Sequence, residues 1–413
     1  MEKQDFTRNR KQSFSGTLLF MFNLLRKSLA VEIDIFVRHL NNKLSAGVSS
    51  FTTSAFIQSR KKIDPEVFKH LSSVIINNFY TADNEDLKLF RNFRLLAADS
   101  SIITLPFTEE LKNRYGIAVN TMRLDVVQAR VSVLYDVLNG LALDSALDHV
   151  NTSERDLALR HAHQWKSNDL IIYDRGYPSF GFIYEHIRLG IDCLIRAKTK
   201  HSPTIIAFVN SGKRSLIATL YPNQDRSFKG KNYNRKSSIQ VRLLRIDLPG
   251  GETEVLMTTL LDSQKYPAKI FKELYFMRWG IETFYDELKN KLKIEHFSGY
   301  SDNTIRQDVF CAIFISNLQS VIVSGLSEEL ELQNNGKKYE YKVNNNLSYG
   351  FLKTRVLELL YKDAPLEIVV HELESLFLKY TIPIRNNRTN TRNTQKYRYK
   401  TKPFVTKNQK DAI

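Results

Sequence analysis

Past residue 93 the hydrophobic pattern of this chain stops repeating every 3.6 residues and breaks into short apolar runs, two of which end in an aspartate. RLLAADSS carries its run into Asp99, and LIIYDRGY carries its run into Asp174. Between them VVQARVSVLYDV and LNGLALDSAL read as two strands joined by a turn, followed by a helix over residues 153–163. IDCLIRAK reads as one more strand. Strand, hairpin, helix, strand, helix, strand is a mixed α/β layout and excludes an all-helical or all-β core. In such sheets functional groups gather at the carboxyl ends of strands. A single aspartate after a strand is more often a turn or cap residue, so neither Asp99 nor Asp174 identifies a site alone.

The flanks read differently. Residues 13–44 place Leu18, Phe22, Leu25, Leu29, Ile33, Phe36 and Leu40 close to a helical period. FTTSAFIQSRKKI predicts a second helix, capped by Thr52 or Thr53, with Arg60, Lys61 and Lys62 in its last turn. Asp64-Pro65 opens a third. Between residues 199 and 262, TIIAFV, SLIATLY, SIQVRLLRIDL and EVLMTTLL are β-rich and separated by turns at Pro222-Asn223 and Pro249-Gly250-Gly251. Helices resume near Pro267 and run to about Tyr380, with a loop at 333–346. These shifts divide the chain into a helical region 1–90, an α/β core 91–198 and 263–300, a β-rich insertion 199–262, a helical region 301–384 and a basic tail 385–413.

Charge narrows the partner. The 413 residues carry 60 Lys and Arg against 44 Asp and Glu, a net +16. The excess is segregated: residues 1–72 hold twelve basic and six acidic side chains, 198–247 eleven and two, and 385–413 nine and one. Basic lobes around a mildly acidic centre suit a polyanion, nucleic acid or an acidic membrane surface. Only Cys193 and Cys311 are present, so no disulfide framework or Cys-rich zinc site is available, and a reducing cytosol is expected. Cys193, inside an apolar strand, reads as inert core. His161-x-His163 sits on a helix read as solvated and lacks a cysteine to complete a metal set. No segment matches a phosphate-binding GxxxxGK[ST] loop. No signal peptide is read at the N-terminus. The uncharged run 309–327 is nearly long enough to span a bilayer, but Asn317, Gln319 and serines interrupt it, and it reads as a buried core helix.

The third carboxylate lies in FKELYFMRWGIETFYDELKNKLK. Tyr275, Arg278, Glu282 and Lys289 fall at offsets 0, 3, 7 and 14, within roughly 60° of one another on an uninterrupted helix. Ile270, Leu274, Met277, Ile281, Phe284, Leu288 and Leu292 form the adjoining apolar stripe. An ordinary amphipathic helix with charge pairs on its wet side fits the same spacing. Taken with Asp99 and Asp174, however, Glu282 completes a set suited to two-metal phosphoryl transfer. Hard Mg²⁺ or Mn²⁺ ions need oxygen ligands, and a pair of them serves both the attacking and the leaving oxygen. Arg and Lys nearby would hold phosphates.

These residues carry a family resemblance. Tyr275-x2-Arg278-x3-Glu282-x6-Lys289, inside YFMRWGIETFYDELK, resembles the signature of DDE transposases of the insertion-sequence-four type. AADSS at Asp99 and YDRGY at Asp174 look like the family's two catalytic aspartate motifs, and DFTRNRKQSFS like its N-terminal region. The resemblance covers most of residues 5–300. It implies a ribonuclease-H-like core interrupted by a β-rich insertion, with a helical N-terminal DNA-binding region and a helical C-terminal region. It further implies that Asp99, Asp174 and Glu282 bind two Mg²⁺ or Mn²⁺ ions, and that Tyr275, Arg278 and Lys289 grip the DNA end. Cleavage would pass through a hairpin before joining to target DNA. The partners implied are double-stranded transposon ends, target DNA and a second copy of the chain, in a bacterial cytoplasm and on the nucleoid when bound. The family's insertion-domain tryptophan is missing: residues 199–262 contain none, leaving Tyr221, Phe228 or Tyr233 to stack on a flipped base, while Trp279 reads as core or platform packing. The competing classes are a catalytically silent DNA-binding repressor or inhibitor and a nuclease that cuts without joining; the presence of all three carboxylates favours the transposase. The spread of basic residues over three regions disfavours a membrane-surface protein. The tail's arginines and lysines suit phosphate contacts or a solvated tail equally.

Overall fold

The computed structural model describes residues 13–384 apart from 26, 45–46, 82, 120–124, 225–226, 249–250 and 362–364. The basic tail 385–413, the start of the DFTRNRKQSFS segment and the Pro249-Gly250 turn therefore lie outside the described residues. The chain forms two compact units. One comprises Pro65–Asp286 with Gly299–Asn317; the other takes the described residues of Met1–Asp64, Glu287–Ser298 and Leu318–Ile413.

The second of these is helical and begins with α1 (Phe14–Phe22), α2 (Leu29–Leu44) and α3 (Thr53–Arg60). The periodicity across 13–44 predicts one helix, but the chain turns at Asn23 and Leu24, where Leu24 adopts φ 49°. Leu24 and Leu25 are both buried there, so the apolar period continues through a bend. Ser13 and Thr52 accept from the Gly16 and Ala55 amides at 3.0 and 3.1 Å, the N-caps of α1 and α3. Phe20 meets Phe36 and Phe56 edge to face at 5.0 and 4.7 Å. Arg60, expected on a basic outer turn, is 2% exposed and donates to Ser298 Oγ at 2.6 Å. Its guanidinium serves this unit's core.

The other unit is built on a nine-stranded sheet. In chain order it contains α4 (Glu66–Phe79), β1 (Arg94–Thr104), α5 (Glu109–Tyr115), β2 (Ile117–Val119), β3 (Asp125–Asp136), β4 (Leu141–His149) and α6 (Glu154–Arg160). These are followed by β5 (Asp169–Tyr173), α7 (Phe180–Arg188), β6 (Asp192–Ala197), α8 (Pro203–Asn210), β7 (Ser215–Leu220), β8 (Ile239–Asp247), β9 (Thr253–Thr258), α9 (Ile270–Phe276) and α10 (Trp279–Asp286). The strand order is β2-β3-β1-β5-β6-β9-β8-β7, with β4 on β3. β3 runs antiparallel to β1 and β4 antiparallel to β3, whereas β5 pairs parallel with β1 and β6 parallel with β5. This is the ribonuclease-H-like core expected from the sequence. The parallel strands are buried on both faces, which is why LIIY and CLI are uninterrupted apolar runs rather than alternating ones. The β-rich insertion continues the same sheet, β9 pairing antiparallel with β6.

Three local expectations are corrected. TIIAFV is not a strand: Ser202 accepts from the Ile205 amide and Pro203 occupies the first turn, so the run folds as α8. The stretch from Ile270 to Leu292 is not one helix. α9 and α10 are separated at Met277 and Arg278, and Glu287–Lys291 forms a π-helical turn, the Leu292 amide reaching back five residues to the Glu287 carbonyl at 2.9 Å. A constant angular offset therefore does not carry from Tyr275 to Lys289. His161, expected on a solvated helix, is fully buried. Its Nδ1 lies 2.7 Å from Asp144 Oδ2 and its Nε2 3.0 Å from Ser132 Oγ, a polar tie between β4, β3 and the turn after α6.

That tie has a measurable signature. Burial alone would raise the Asp144 pKa, but His161, Lys69 at 3.2 Å and His163 outweigh it and hold the carboxyl at about 2. A depressed carboxylate contributes fully above its unfolded pKa and loses that contribution as pH falls toward the folded value. The difference is about 2 kcal/mol at 1.36 kcal/mol per pKa unit. Between pH 5 and pH 2.5, urea unfolding of the wild type should lose most of that amount relative to Asp144→Asn. Parallel pH profiles would contradict the assignment.

The chain continues through α11 (Asp302–Ser324), α12 (Ser327–Asn334), β10 (Tyr341–Val343), α13 (Asn345–Leu360), α14 (Leu366–Lys379) and β11 (Thr381–Pro383). The loop expected at 333–346 contains β10, which pairs with β11. Among the described residues α11 is the one helix long and apolar enough to cross a membrane, and 67% of that stretch is buried inside the protein. Its polar residues have internal uses. Asn317 brackets Ala142 on β4, accepting from the amide at 2.8 Å and donating to the carbonyl at 3.0 Å.

Candidate active site

Asp99 and Asp174 stand at the point where β1 and β5 separate. The parallel ladder begins at Arg94–Asp169 and ends at Ala97–Ile172. Two residues further along each strand come the two aspartates. Contrary to expectation β1 does not end at Asp99: Ser100 to Thr104 stay paired with β3, and Asp99 sits opposite Val133. The strand that stops is β5, and its end opens one edge of β1 from Asp99 onward. Asp99 Oδ1 accepts from the Ser100 amide at 2.8 Å, and Asp174 Oδ1 from the Gly176 amide at 2.7 Å. Burial pushes the Asp99 carboxyl up to about 7, and the Asp174 and Glu154 charges act in the same direction against the Ser100 amide and Arg278.

Glu282 arrives on α10, which is tied to β1 by Tyr285. The Tyr285 hydroxyl donates to the Asp99 carbonyl at 2.8 Å and lies 3.1 Å from that of Val131. Arg278, in the break between α9 and α10, bridges the two carboxylates. Its Nη2 is 2.5 Å from Glu282 Oε1 and its Nη1 3.8 Å from Asp99 Oδ2. Burial opposes the guanidinium charge, but the bond to Glu282 and the nearby Tyr275 and Asp99 keep its pKa above the ordinary value. Its Nε is buried and has no hydrogen-bond partner among the described residues. The guanidinium carbon lies 5.8 Å from the Tyr275 ring and 5.7 Å from that of Trp279. Tyr275 is only 8% exposed and belongs to the core cluster with Leu274 and Phe271, whereas Trp279 is 46% exposed. Trp279 is thus a surface platform and not core. Lys289 lies in the π-helical turn of the other unit, half-buried, where burial lowers its pKa against the pull of Glu295.

Four further residues belong to this neighbourhood. Glu154, the first residue of α6, places Oε1 2.9 Å from Ser100 Oγ and 2.6 Å from Arg130 Nη1. Arg130 also reaches Ser100 Oγ at 2.9 Å. Tyr177, in the turn after Asp174, is fully buried and its hydroxyl has no hydrogen-bond partner among the described residues. Glu154 was legible only as a first-turn acidic residue after Ser153. Arg130 and Tyr177 gave no local signal because their roles depend on strand pairing.

The residues present fit a hard divalent cation. A Cβ built on Gly176 would fall 3.0 Å from Asp174 Oδ1 and 3.6 Å from Glu154 Oε2, so the missing side chain leaves room beside two carboxylates. The available donors are oxygens, the set that Mg²⁺ and Mn²⁺ require. Glu282 is turned to Arg278, and among the described residues no cluster of three or more His, Cys, Asp or Glu side chains is disposed to hold an ion as it stands.

Beside Arg278 a groove of about 540 Å³ is lined by Tyr275, Phe276, Trp279, Arg196, Lys269 and Lys272, among others. Phe276 is 69% exposed. Of the three aromatics considered in the insertion, Tyr233 packs on Phe180 at 5.1 Å and Phe228 at 6.0 Å, while Tyr221 is 66% exposed.

Comparison with known proteins follows the same region. Residues 92–318, more than half of the chain, match the family described as transposase DDE domain. The chain is similar to the putative transposase y4zB of Sinorhizobium fredii, 36% identical over 78 residues, 19% of this chain and 21% of that protein. It is also similar to transposase InsG for insertion sequence element IS4 of Escherichia coli, 21% identical over 287 residues, 67% of this chain and 62% of that protein. The chain thus spans less than two thirds of either relative. A solved structure of the piggyBac transposase synaptic complex with hairpin DNA aligns at a TM-score of 0.42 and 10% identity, over 92% of this chain and 77% of that one.

Proposed function

The chain belongs to the DDE transposases, related to those of the insertion-sequence-four type, and from that premise we propose that it cuts double-stranded DNA at transposon ends and joins them to target DNA. The observation that supports this reading is that Asp99 and Asp174 stand just beyond the β1–β5 ladder and that Arg278 reaches both Asp99 and Glu282. Two divalent cations, when bound, supply activation of the attacking oxygen and neutralisation of the leaving one. Asp99, Asp174 and Glu282 hold them. Arg278 exchanges Glu282 for a DNA phosphate; its unpartnered Nε and its place between two aromatic rings suit a planar donor to phosphate oxygens. Lys289 contacts the DNA end, and the Tyr275 ring packs near the Arg278 guanidinium. Trp279 and Phe276 offer apolar faces for an unstacked base.

The basic insertion fits the same reading. Lys213, Arg214, Lys229, Lys231, Arg235 and Lys236 are all exposed around β7 and β8 and give phosphate contacts outside the centre. The helical N-terminal region contributes end recognition, and two copies of the chain pair two ends. The reaction passes through a hairpin that is opened before joining.

The test is Arg278→Ala on a labelled end, with nicking, hairpin formation and hairpin opening timed separately. The hairpin steps should slow at least about tenfold more than the first nick, a difference of roughly 1.4 kcal/mol in barrier. Equal loss at every step would remove Arg278 from hairpin handling.

A further inference from the structure

Glu154 is placed as more than a surface partner of Arg130. Its two oxygens differ: Oε1 is held by Ser100 and Arg130, whereas Oε2 accepts no hydrogen bond from a described residue and lies 3.6 Å from where a Cβ on Gly176 would stand. Asp174 Oδ1 lies 3.0 Å from the same point. A methyl group at Gly176 would occupy it, and Gly176 does not need glycine for a left-handed backbone, because its φ is not positive. Arg278, which ties up Glu282, is bonded on the Glu282 side and makes no ion pair with Asp174 or Glu154.

We propose that Glu154 is a fourth carboxylate of the metal centre, sharing a divalent cation with Asp174 across the space over Gly176. The inference rests on the reading that Asp174 is a metal ligand. Arg130 and Ser100 fix the Oε1 edge and thereby aim Oε2, the arrangement by which second partners orient a ligating carboxylate. This half of the centre binds its ion in the absence of DNA, and the Glu282 half is completed when a phosphate takes Arg278.

The experiment is calorimetric titration of the full chain with Mn²⁺ alone, without DNA, for wild type, Glu154→Gln, Gly176→Ala and Asp174→Asn, each checked for folding by its thermal midpoint. Wild type should bind Mn²⁺, and Glu154→Gln should bind it at least about tenfold more weakly, within the range found for outer partners and ligands of metal sites. Gly176→Ala keeps every carboxylate and should weaken binding as well, by filling the space. It remains informative if Glu154→Gln does not fold. A Glu154 that served only Arg130 would lower the thermal midpoint and leave Mn²⁺ affinity unchanged. Wild-type affinity in Glu154→Gln, or in Gly176→Ala, alongside weakened binding in Asp174→Asn, overturns this inference and leaves the proposed function standing. Unchanged binding in Asp174→Asn, or no Mn²⁺ binding by wild type, overturns both.

Discussion

Asp174→Asn should lower end cleavage by roughly a thousandfold or more, a barrier increase of about 4 kcal/mol, while binding of the uncut end stays within a few-fold of wild type. The substitution keeps the shape of the side chain and its bond from the Gly176 amide at 2.7 Å, so the turn after β5 survives. What it removes is the charge. Asp99→Asn and Glu282→Gln should behave alike for the same reason, and omission of divalent metal should reproduce their phenotype in the wild type. Gel-shift titration and cleavage time courses on the same labelled end separate the two effects. Loss of binding in parallel with cleavage would make the carboxylates structural.

The second large effect is on stability. Arg94 and Asp169 form the first rung of the β1–β5 ladder and a two-pronged ion pair, Nε–Oδ1 at 2.6 Å and Nη2–Oδ2 at 2.8 Å. Arg94 is 4% exposed and Asp169 fully buried, and the guanidinium carbon lies 5.0 Å from the Tyr80 ring. Asp169→Ala strands a buried guanidinium and should cost about 3–5 kcal/mol. Replacing both partners by apolar residues of similar volume should cost much less, because neither charge is then left unpaired. Urea unfolding of the single and double variants distinguishes the cases. A small loss in Asp169→Ala would mean that water reaches Arg94. The pair lies at the opposite end of the ladder from Asp99 and Asp174, so it fixes the register that sets the two aspartates side by side.

The α/β core was legible because its signals are local. LIIY and CLI are apolar throughout since both faces of their strands are covered, and Thr52 and Ser13 cap where their side chains stand before apolar runs. TIIAFV misled because β-branched residues suggest a strand, while the cap at Ser202 and the proline after it decide for a helix. The Asp99 strand was read as ending at its carboxylate, since the apolar run stops there. Pairing with β3, which no local signal encodes, carries it on to Thr104. The helix face from Tyr275 to Lys289 assumed a constant 100° per residue, and the break at Arg278 and the π-helical turn after Asp286 remove that premise. Glu154, Tyr177 and the Asp144–His161–Ser132 tie escaped notice because each depends on residues brought together by the sheet and its covering helices.

The central claim is that two strands and one helix bring Asp99, Asp174 and Glu282 to the same ions. Iron-directed backbone cleavage tests it directly. With Mg²⁺ replaced by Fe²⁺ on the full chain bound to an end, hydroxyl radicals generated at the metal cut the polypeptide next to its ligands. The account predicts cuts confined to 97–101, 152–156, 172–178 and 280–284, lost together in Asp174→Asn. Cuts scattered along the chain, or clustered elsewhere and indifferent to that substitution, would contradict it.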